Sequence, residues 1–162
     1  MALPRPVLLR RIERELKDCF DYLGSEFEFD TERAEFPIQI DMHMSNVVGY
    51  ADKDTIITEH DFSIVMTEDY GFRKPEVRWK SKIFHPNIMQ PEDGGYVCTK
   101  MLNEWEFNTR LPAFLKSLCF LVSNPNPMSP FGTESCMEAA KFFAERDSSF
   151  VGKVQYGNDG NA

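Results

Sequence analysis

The stretch that decides the fold is residues 83–98, Ile-Phe-His-Pro-Asn-Ile-Met-Gln-Pro-Glu-Asp-Gly-Gly-Tyr-Val-Cys. It places a thiol, Cys98, eleven residues after a side-chain amide, Asn87, on a segment rich in proline and glycine. A thiolate can attack a carbonyl carbon, and a fixed amide N–H can stabilise the oxyanion that results. Residues 83–110 lack a sustained hydrophobic period, which predicts a long ordered loop, and such loops are usually functional. We therefore expect the chemistry of this protein on that loop.

Helices are predicted on both sides of the loop. Residues 7–23 carry apolar side chains at three- and four-residue steps, which indicates an amphipathic helix. Residues 111–123 are apolar on nearly all sides and predict a second, buried helix. The pattern Ser135-x-x-Glu matches a capping box and predicts the start of a third helix. A short fourth helix is expected to begin at Asp147 or Ser148.

A sheet is predicted between the first helix and the loop, where the hydrophobic period changes to two. Alternating or β-branched runs predict four strands, at residues 36–44, 55–58, 61–66 and 77–79. The connections between them are short, which favours an antiparallel meander over parallel units joined by crossover helices.

Composition restricts the class of protein. The chain has 162 residues, 42% of them hydrophobic, and fourteen phenylalanines, which predicts one domain with a sizeable core. The net charge of −8 argues against general nucleic-acid binding, which requires basic surface. Proline and arginine interrupt the apolar start, so we expect no signal peptide, and no run approaches the roughly 20 apolar residues that span a bilayer. Neither nucleic acid nor membrane is an expected partner.

The four cysteines, Cys19, Cys98, Cys119 and Cys136, are widely spaced and form no Cys-x-x-Cys pair. A chain of this size does not need disulfides, so free thiols and an intracellular location, in the cytoplasm or also the nucleus, are expected. No cysteine or histidine pair has the spacing of zinc ligands, and no cofactor is indicated. Cys98 differs from the other three, which fall at apolar helical positions, because its neighbours are polar and favour exposure.

Taken in order, His85-Pro86-Asn87, Cys98, Trp105 and Asn124-Pro-Asn-Pro resemble the catalytic stretch of the ubiquitin-conjugating enzymes, and the resemblance extends over residues 7–156. It implies an α+β domain with the ubiquitin-conjugating-enzyme fold, a four-stranded antiparallel meander with about four helices. A single catalytic domain would occupy residues 1–156, followed by a flexible tail at 157–162.

The resemblance also implies an activity and the residues that perform it. Cys98 would accept an activated ubiquitin or ubiquitin-like modifier as a thioester and pass it to a lysine of a substrate, with ATP consumed by the activating enzyme. Asn87 would stabilise the oxyanion or hold the active-site loop, and His85 would shape that loop. Ser129, before Pro130, stands where the family places an acidic or serine residue that assists the attacking lysine; serine supplies no charge for that purpose.

Partner surfaces follow from the same resemblance. In the family, the first helix and two neighbouring loops bind the activating enzyme and ligases. The matching residues here are Arg10, Arg11, Arg14, Phe72 and Phe107. A basic cluster on an acidic protein also favours an acidic partner by charge alone.

Several positions depart from the family pattern, and two other functions stay open. The spacer between Asn87 and Cys98 is longer than usual, Thr99 stands in place of a leucine, and Gly71 and Phe107 replace prolines. The first alternative is a catalytically silent relative that acts as an adaptor for the modifier or a ligase. The second is a thiol hydrolase with His85 as its base, which would need a ring nitrogen close to the sulfur and a third orienting group.

Overall fold

The computed structural model describes residues 1–149. Within that range the elements are the helices α1 (Arg5–Leu23), α2 (Lys100–Asn103), α3 (Leu111–Ser123) and α4 (Glu134–Ser149), and the strands β1 (Ile38–Met44), β2 (Gly49–Asp52), β3 (Thr55–Ile57), β4 (His60–Met66) and β5 (Glu76–Trp79). A 3₁₀ turn covers Pro91–Asp93. The tail predicted at 157–162 lies outside the described residues. Over the described range, no helix combines the length and the apolar character that crossing a membrane would require.

Three strands form the main antiparallel sheet in the order β1-β4-β5. Strand β4 pairs with β1 from Ile38↔Met66 to Met44↔His60, and its other edge pairs with β5 through Phe62↔Trp79. The α+β class and the antiparallel sheet are therefore confirmed.

The predicted four-stranded meander differs in one detail, because β3 is not part of the main sheet. It pairs with β2 in a separate two-stranded sheet. The side chain of Asp52 accepts the backbone N–H of Asp54 at 2.9 Å, which closes a tight turn between the two strands. Both edges of β4 are already occupied by β1 and β5, so β3 does not pair with it.

The core lies between α1, α3 and the main sheet. Apolar side chains of α1 at three- and four-residue steps pack against α3 and belong to one buried cluster with side chains of β4 and β5. The largest fully buried side chains of these elements are Leu8, Ile12, Leu16, Phe62, Trp79 and Phe114. Helix α1 begins at Arg5, two residues before the predicted start. Pro4 is its N-cap and Pro6 lies in its first turn, where a backbone N–H would have no partner within the helix, so proline is tolerated there.

Two helix-capping predictions are wrong. The start of α4 is capped by Thr133, whose hydroxyl accepts the Cys136 N–H at 3.2 Å, and Ser135 lies inside the first turn. Thr133, two residues before Ser135, occupies the N-cap position because α4 begins at Glu134. Helix α4 also continues through Asp147 and Ser148, so neither begins a new helix, and the rest of that prediction lies outside the described residues.

Candidate active site

The loop that carries Cys98 doubles back on itself. Isolated β-bridges join His85 to Ile88 and Ile88 to Val97, and the Cys98 N–H donates to the Asn87 carbonyl at 2.9 Å. The predicted long loop is therefore ordered by its own backbone hydrogen bonds. Asn87 and Cys98 are eleven positions apart in the sequence, yet their backbones are in direct contact.

The spacer between Asn87 and Cys98, residues 88–97, contains a compact turn. The Gly95 N–H donates to the Gln90 carbonyl at 3.0 Å, and the Gly95 carbonyl accepts the Trp79 N–H at 2.7 Å. Gly95 has φ 66°, and a Cβ there would lie 2.5 Å from the Trp79 carbonyl oxygen. Only glycine fits this position, because both the backbone angle and the close approach to β5 exclude a side chain. The extra residues thus bulge outward and leave Asn87 beside Cys98.

His85 is buried and its two ring nitrogens are both used. Its Nδ1 accepts the Asn87 N–H at 3.0 Å, so the proton is on Nε2, which donates to the Leu121 carbonyl at 2.8 Å. Burial lowers the pKa of His85 to about 4. A neutral imidazole held at both nitrogens stabilises the loop, and neither nitrogen is available to take a proton from Cys98.

The Asn87 side chain is also buried and is fully engaged. Its Nδ2 donates to the carbonyls of Asn126 and Ser129, at 3.1 and 3.2 Å, and its Oδ1 accepts the Asn126 N–H at 2.9 Å. These bonds attach the segment 124–130 to the turn that contacts Cys98. The structure thus places Asn87 as the link between two loops.

Ser129 is brought to the same region through its backbone. Its carbonyl accepts from Asn87, and its side chain is exposed. The structure therefore joins the four predicted catalytic positions, His85, Asn87, Cys98 and Ser129, in one chain of hydrogen bonds. The thiol is at one end of that chain and the Ser129 peptide at the other.

The residue that sequence reasoning missed is Asn103. The hydroxyl of Thr99 caps α2 by accepting the Leu102 N–H at 3.0 Å, and Leu102 is buried. This single turn of helix returns the chain to the thiol, so the Asn103 Nδ2 donates to the Cys98 Sγ at 3.5 Å. The sequence feature that could have predicted this helix is Thr99, because threonine is a favourable N-cap residue and here replaces the leucine of the family pattern.

Cys19 and Cys136 are buried, Cys119 and Cys98 are partly exposed, and none of the four forms a disulfide. Burial raises the pKa of Cys19 to about 12 and that of Cys119 to about 11, and it also raises the pKa of Cys136. These thiols are held in the protonated form, which is a poor nucleophile. Cys98 is partly exposed and receives an amide N–H at its sulfur.

Arg11 is not placed as predicted. Arg10 and Arg14 are exposed on α1, but the Arg11 side chain is 17% exposed and points inward. Its Nε pairs with Glu15 at 2.6 Å, and its Nη2 donates to the Thr109 carbonyl at 2.9 Å. Arg11 lies inward because the buried Glu15 carboxylate requires a cation. It therefore stabilises the domain and does not form part of the exposed basic face.

Phe72 and Phe107 form an exposed aromatic pair. Their rings stack with centroids 4.4 Å apart, and the residues are 40% and 41% exposed. The Arg11 guanidinium lies 4.8 Å from the Phe107 ring centroid on the inner side. The Trp105 indole N–H holds the neighbouring loop by donating to the Gly71 carbonyl at 3.1 Å. Two separate loops thus present one apolar surface.

No metal site is evident in residues 1–149, because no three His, Cys, Asp or Glu side chains are grouped there in a way that could hold an ion.

The fold and the site define an α+β domain with a partly exposed cysteine, Cys98, on a loop that backbone hydrogen bonds hold in place. The family model described as "Ubiquitin-conjugating enzyme" matches residues 12–156. The chain belongs to the ubiquitin-conjugating enzyme family.

Curated relatives agree with this assignment. The chain is 33% identical over 113 residues to "Ubiquitin-conjugating enzyme E2 2" of Mycosarcoma maydis, a match that covers 68% of this chain and 57% of the relative. It is 34% identical over 112 residues to "Ubiquitin-conjugating enzyme E2 3" of Arabidopsis thaliana, which covers 67% of this chain and 70% of that protein. The chain thus spans little more than half the length of the first relative.

Solved structures support the fold. The protein described as S. cerevisiae Ubc12 has a TM-score of 0.63 and 24% identity, with 90% of this chain and 76% of that chain covered. A ubiquitin-conjugating-enzyme domain from Toxoplasma gondii has a TM-score of 0.57 and 23% identity, with 86% and 91% covered. At such identities the comparison establishes the shared fold.

Proposed function

We propose that this protein accepts an activated ubiquitin or ubiquitin-like modifier as a thioester on Cys98 and transfers it to a lysine of a substrate. The observation that carries the proposal is the 2.9 Å hydrogen bond from the Cys98 N–H to the Asn87 carbonyl. It attaches a partly exposed thiol to a buried His-Pro-Asn turn. A thiol held in this way is positioned for reaction with a large partner, while its backbone cannot move away.

The proposed charging step is an exchange between two thiols. The Cys98 sulfur attacks the carbonyl carbon of the modifier's C-terminal glycine, which is bound as a thioester to the activating enzyme. The new C–S bond forms as the old one breaks, and the activating enzyme leaves as a thiol. One thioester replaces another, so the step is nearly balanced in free energy and positioning accounts for most of the rate.

Partner binding is proposed at the exposed residues of α1 and the two aromatic loops. Arg10 and Arg14 present positive charge on a protein whose net charge is −8, which suits an acidic surface on the activating enzyme. Phe72 and Phe107 offer an apolar contact for a ligase or for the activating enzyme. The proposal places the protein inside the cell, in the cytoplasm, where these partners and ATP would be available.

The test is a charging reaction with ATP, magnesium, an activating enzyme and a panel of modifiers, resolved on a non-reducing gel. We expect a shift of one modifier mass that thiol reagents remove and that Cys98→Ala abolishes. Cys119→Ala is the matched control, because it removes another thiol that burial keeps protonated, and it should charge normally.

Three results would contradict the proposal. If no modifier forms an adduct although the activating enzyme charges a known conjugating enzyme in the same tube, the adaptor function is supported instead. Release of free modifier without a detectable thioester would instead indicate a thiol hydrolase. An adduct that persists in Cys98→Ala would assign the reaction to a different residue.

A further inference from the structure

The amide expected to stabilise the oxyanion is already occupied. Asn87 donates both of its side-chain N–H bonds, one to the Asn126 carbonyl and one to the Ser129 carbonyl. Its backbone N–H is also used, in the bond to His85 Nδ1. Pointing the Asn87 amide at an acyl group on Cys98 would require at least one of these partly buried bonds to break.

A different amide lies at the sulfur. The Asn103 Nδ2 donates to the Cys98 Sγ at 3.5 Å, and the Asn103 side chain is exposed at the end of α2. No loop depends on this bond, so the side chain can rotate as the sulfur becomes acylated. In a thioester the carbonyl oxygen is two bonds from the sulfur, so a donor that reaches the sulfur can also reach that oxygen.

The position of Asn103 is fixed by a helix cap and a buried leucine. The Thr99 hydroxyl caps α2, and the buried Leu102 anchors its single turn to the core. The Asn103 N–H also donates to the Thr99 carbonyl at 3.1 Å. Asn103, five positions after Cys98, is therefore held beside it by the short helix that the buried Leu102 anchors.

We propose that Asn103 is a catalytic amide that stabilises the oxyanion when the acyl group on Cys98 is transferred. The inference rests on the function proposed above and names a residue of the same site. Asn87 in addition tethers the Cys98 turn to the segment 124–130.

The step assisted by Asn103 is attack on the thioester. The lone pair of the lysine amine forms a bond to the thioester carbon, and the carbon–oxygen π electrons move to the oxygen, which becomes the oxyanion. Asn103 donates an N–H to that oxygen. When the carbonyl re-forms, the C–S bond breaks, Cys98 leaves as a thiolate, and the amine nitrogen loses its extra proton to water. An amide remains on the lysine.

The experiment measures discharge in a single turnover. Cys98 is charged, EDTA is added to stop the activating enzyme, free L-lysine is then supplied, and loss of the thioester is followed on non-reducing gels. We expect Asn103→Ala to reduce the discharge rate by about a hundredfold, the typical loss for one oxyanion donor. Asn103→Asp should be slower still, because its carboxylate lacks the donor and repels the developing negative charge.

Two controls separate catalysis from structure. Asn108→Ala removes another exposed asparagine and should discharge at the wild-type rate. Thermal unfolding of Asn103→Ala should match the wild type because its side chain is exposed, whereas Asn87→Ala should unfold at a lower temperature because it loses buried bonds.

Either of two results would overturn the inference. One is an Asn103→Ala thioester that discharges at the wild-type rate; the other is an Asn103→Asp thioester that discharges faster than Asn103→Ala. The proposed function fails in a distinguishable way, because then the wild-type protein itself would form no thioester under conditions that charge a known conjugating enzyme.

Discussion

The Glu15 carboxylate accepts the backbone N–H of Leu111 at 2.7 Å, across 96 positions of sequence. The same side chain accepts the Tyr70 hydroxyl at 3.1 Å and pairs with Arg11 at 2.6 Å. One buried carboxylate thus connects α1, the loop after β4 and the start of α3. The loop that carries Phe107 is joined to the same cluster, since the Arg11 guanidinium also contacts the Phe107 ring.

Glu15→Ala should therefore destabilise the domain strongly. It leaves Arg11, Tyr70 and the Leu111 N–H without their buried acceptor, and breaking a buried ion pair on one side costs about 3–5 kcal/mol. The measurement is the free energy of unfolding from urea titration. Asp18 lies on the same helix as Glu15 and forms an exposed ion pair with Arg110. Asp18→Ala should therefore cost under about 1 kcal/mol. Equal losses in the two variants would disprove the structural role assigned to Glu15.

The sequence predicted well those elements of the fold that depend on contacts between residues close together in the chain. The bounds of α3 followed from a local apolar pattern and were predicted as residues 111–123, and α1 was displaced by only two residues. The β2–β3 hairpin was missed in part, because Gly49-Tyr50-Ala51-Asp52 has little β-propensity and is stabilised by its turn.

In the candidate site, too, the sequence did not predict positions that depend on residues far apart in the chain. The residues that the structure joins to Cys98 were named from their motif, and their catalytic roles remain predictions. Arg11 was grouped with Arg10 and Arg14 as a partner-binding residue because the sequence shows only one basic residue among others. Its inward position depends on Tyr70, Phe107 and Thr109, which lie 59 or more positions away in the sequence. Asn103 depends on a single helical turn that no hydrophobic period reveals.

Stability should fall as the pH is lowered from about 6.5 to 4, because of His85. The unfolded chain binds a proton at His85 below about 6.5, whereas the folded protein holds this histidine neutral until the pH approaches about 4. The stability that His85 contributes is thus complete above 6.5 and is lost as the pH falls, by up to ~3 kcal/mol at full shift. Urea titrations at pH 7 and pH 5 measure this loss.

The protonation of the three histidines can be followed separately by NMR. Burial also lowers the pKa of His60, whereas hydrogen bonds from His43 to Asp61 and Glu59 raise the pKa of His43. We expect two histidine resonances to titrate below the ordinary range and one above it. Glu59→Gln should lower the pKa of His43 and leave His85 unchanged. A His85 resonance that titrates near 6.5 would contradict the burial of its ring.

Gly95→Ala should destabilise the protein and disturb the Cys98 loop. The added Cβ would lie 2.5 Å from the Trp79 carbonyl oxygen, and φ is 66°. The left-handed angle costs about 1–2 kcal/mol, and the contact with rigid backbone adds to it. Gly132→Ala is the matched control, because its Cβ would meet nothing within 4 Å. Thermal unfolding and charging of Cys98 are measured together, and only Gly95→Ala should be impaired in both.

Charge reversal on the exposed face of α1 should slow charging and leave folding intact. Arg10→Glu with Arg14→Glu removes two exposed cations, so attraction to an acidic activating enzyme weakens, and the defect should shrink as salt rises and screens the charges. Arg33→Glu, with a side chain 89% exposed on a different segment, tests whether net charge alone matters and should charge almost normally. Arg11→Glu should behave differently from both, because it places a second carboxylate beside the buried Glu15 and lowers the unfolding temperature. Charging rates that are the same for the Arg10 and Arg14 variant and for the wild type at every salt concentration would remove this face from the binding site.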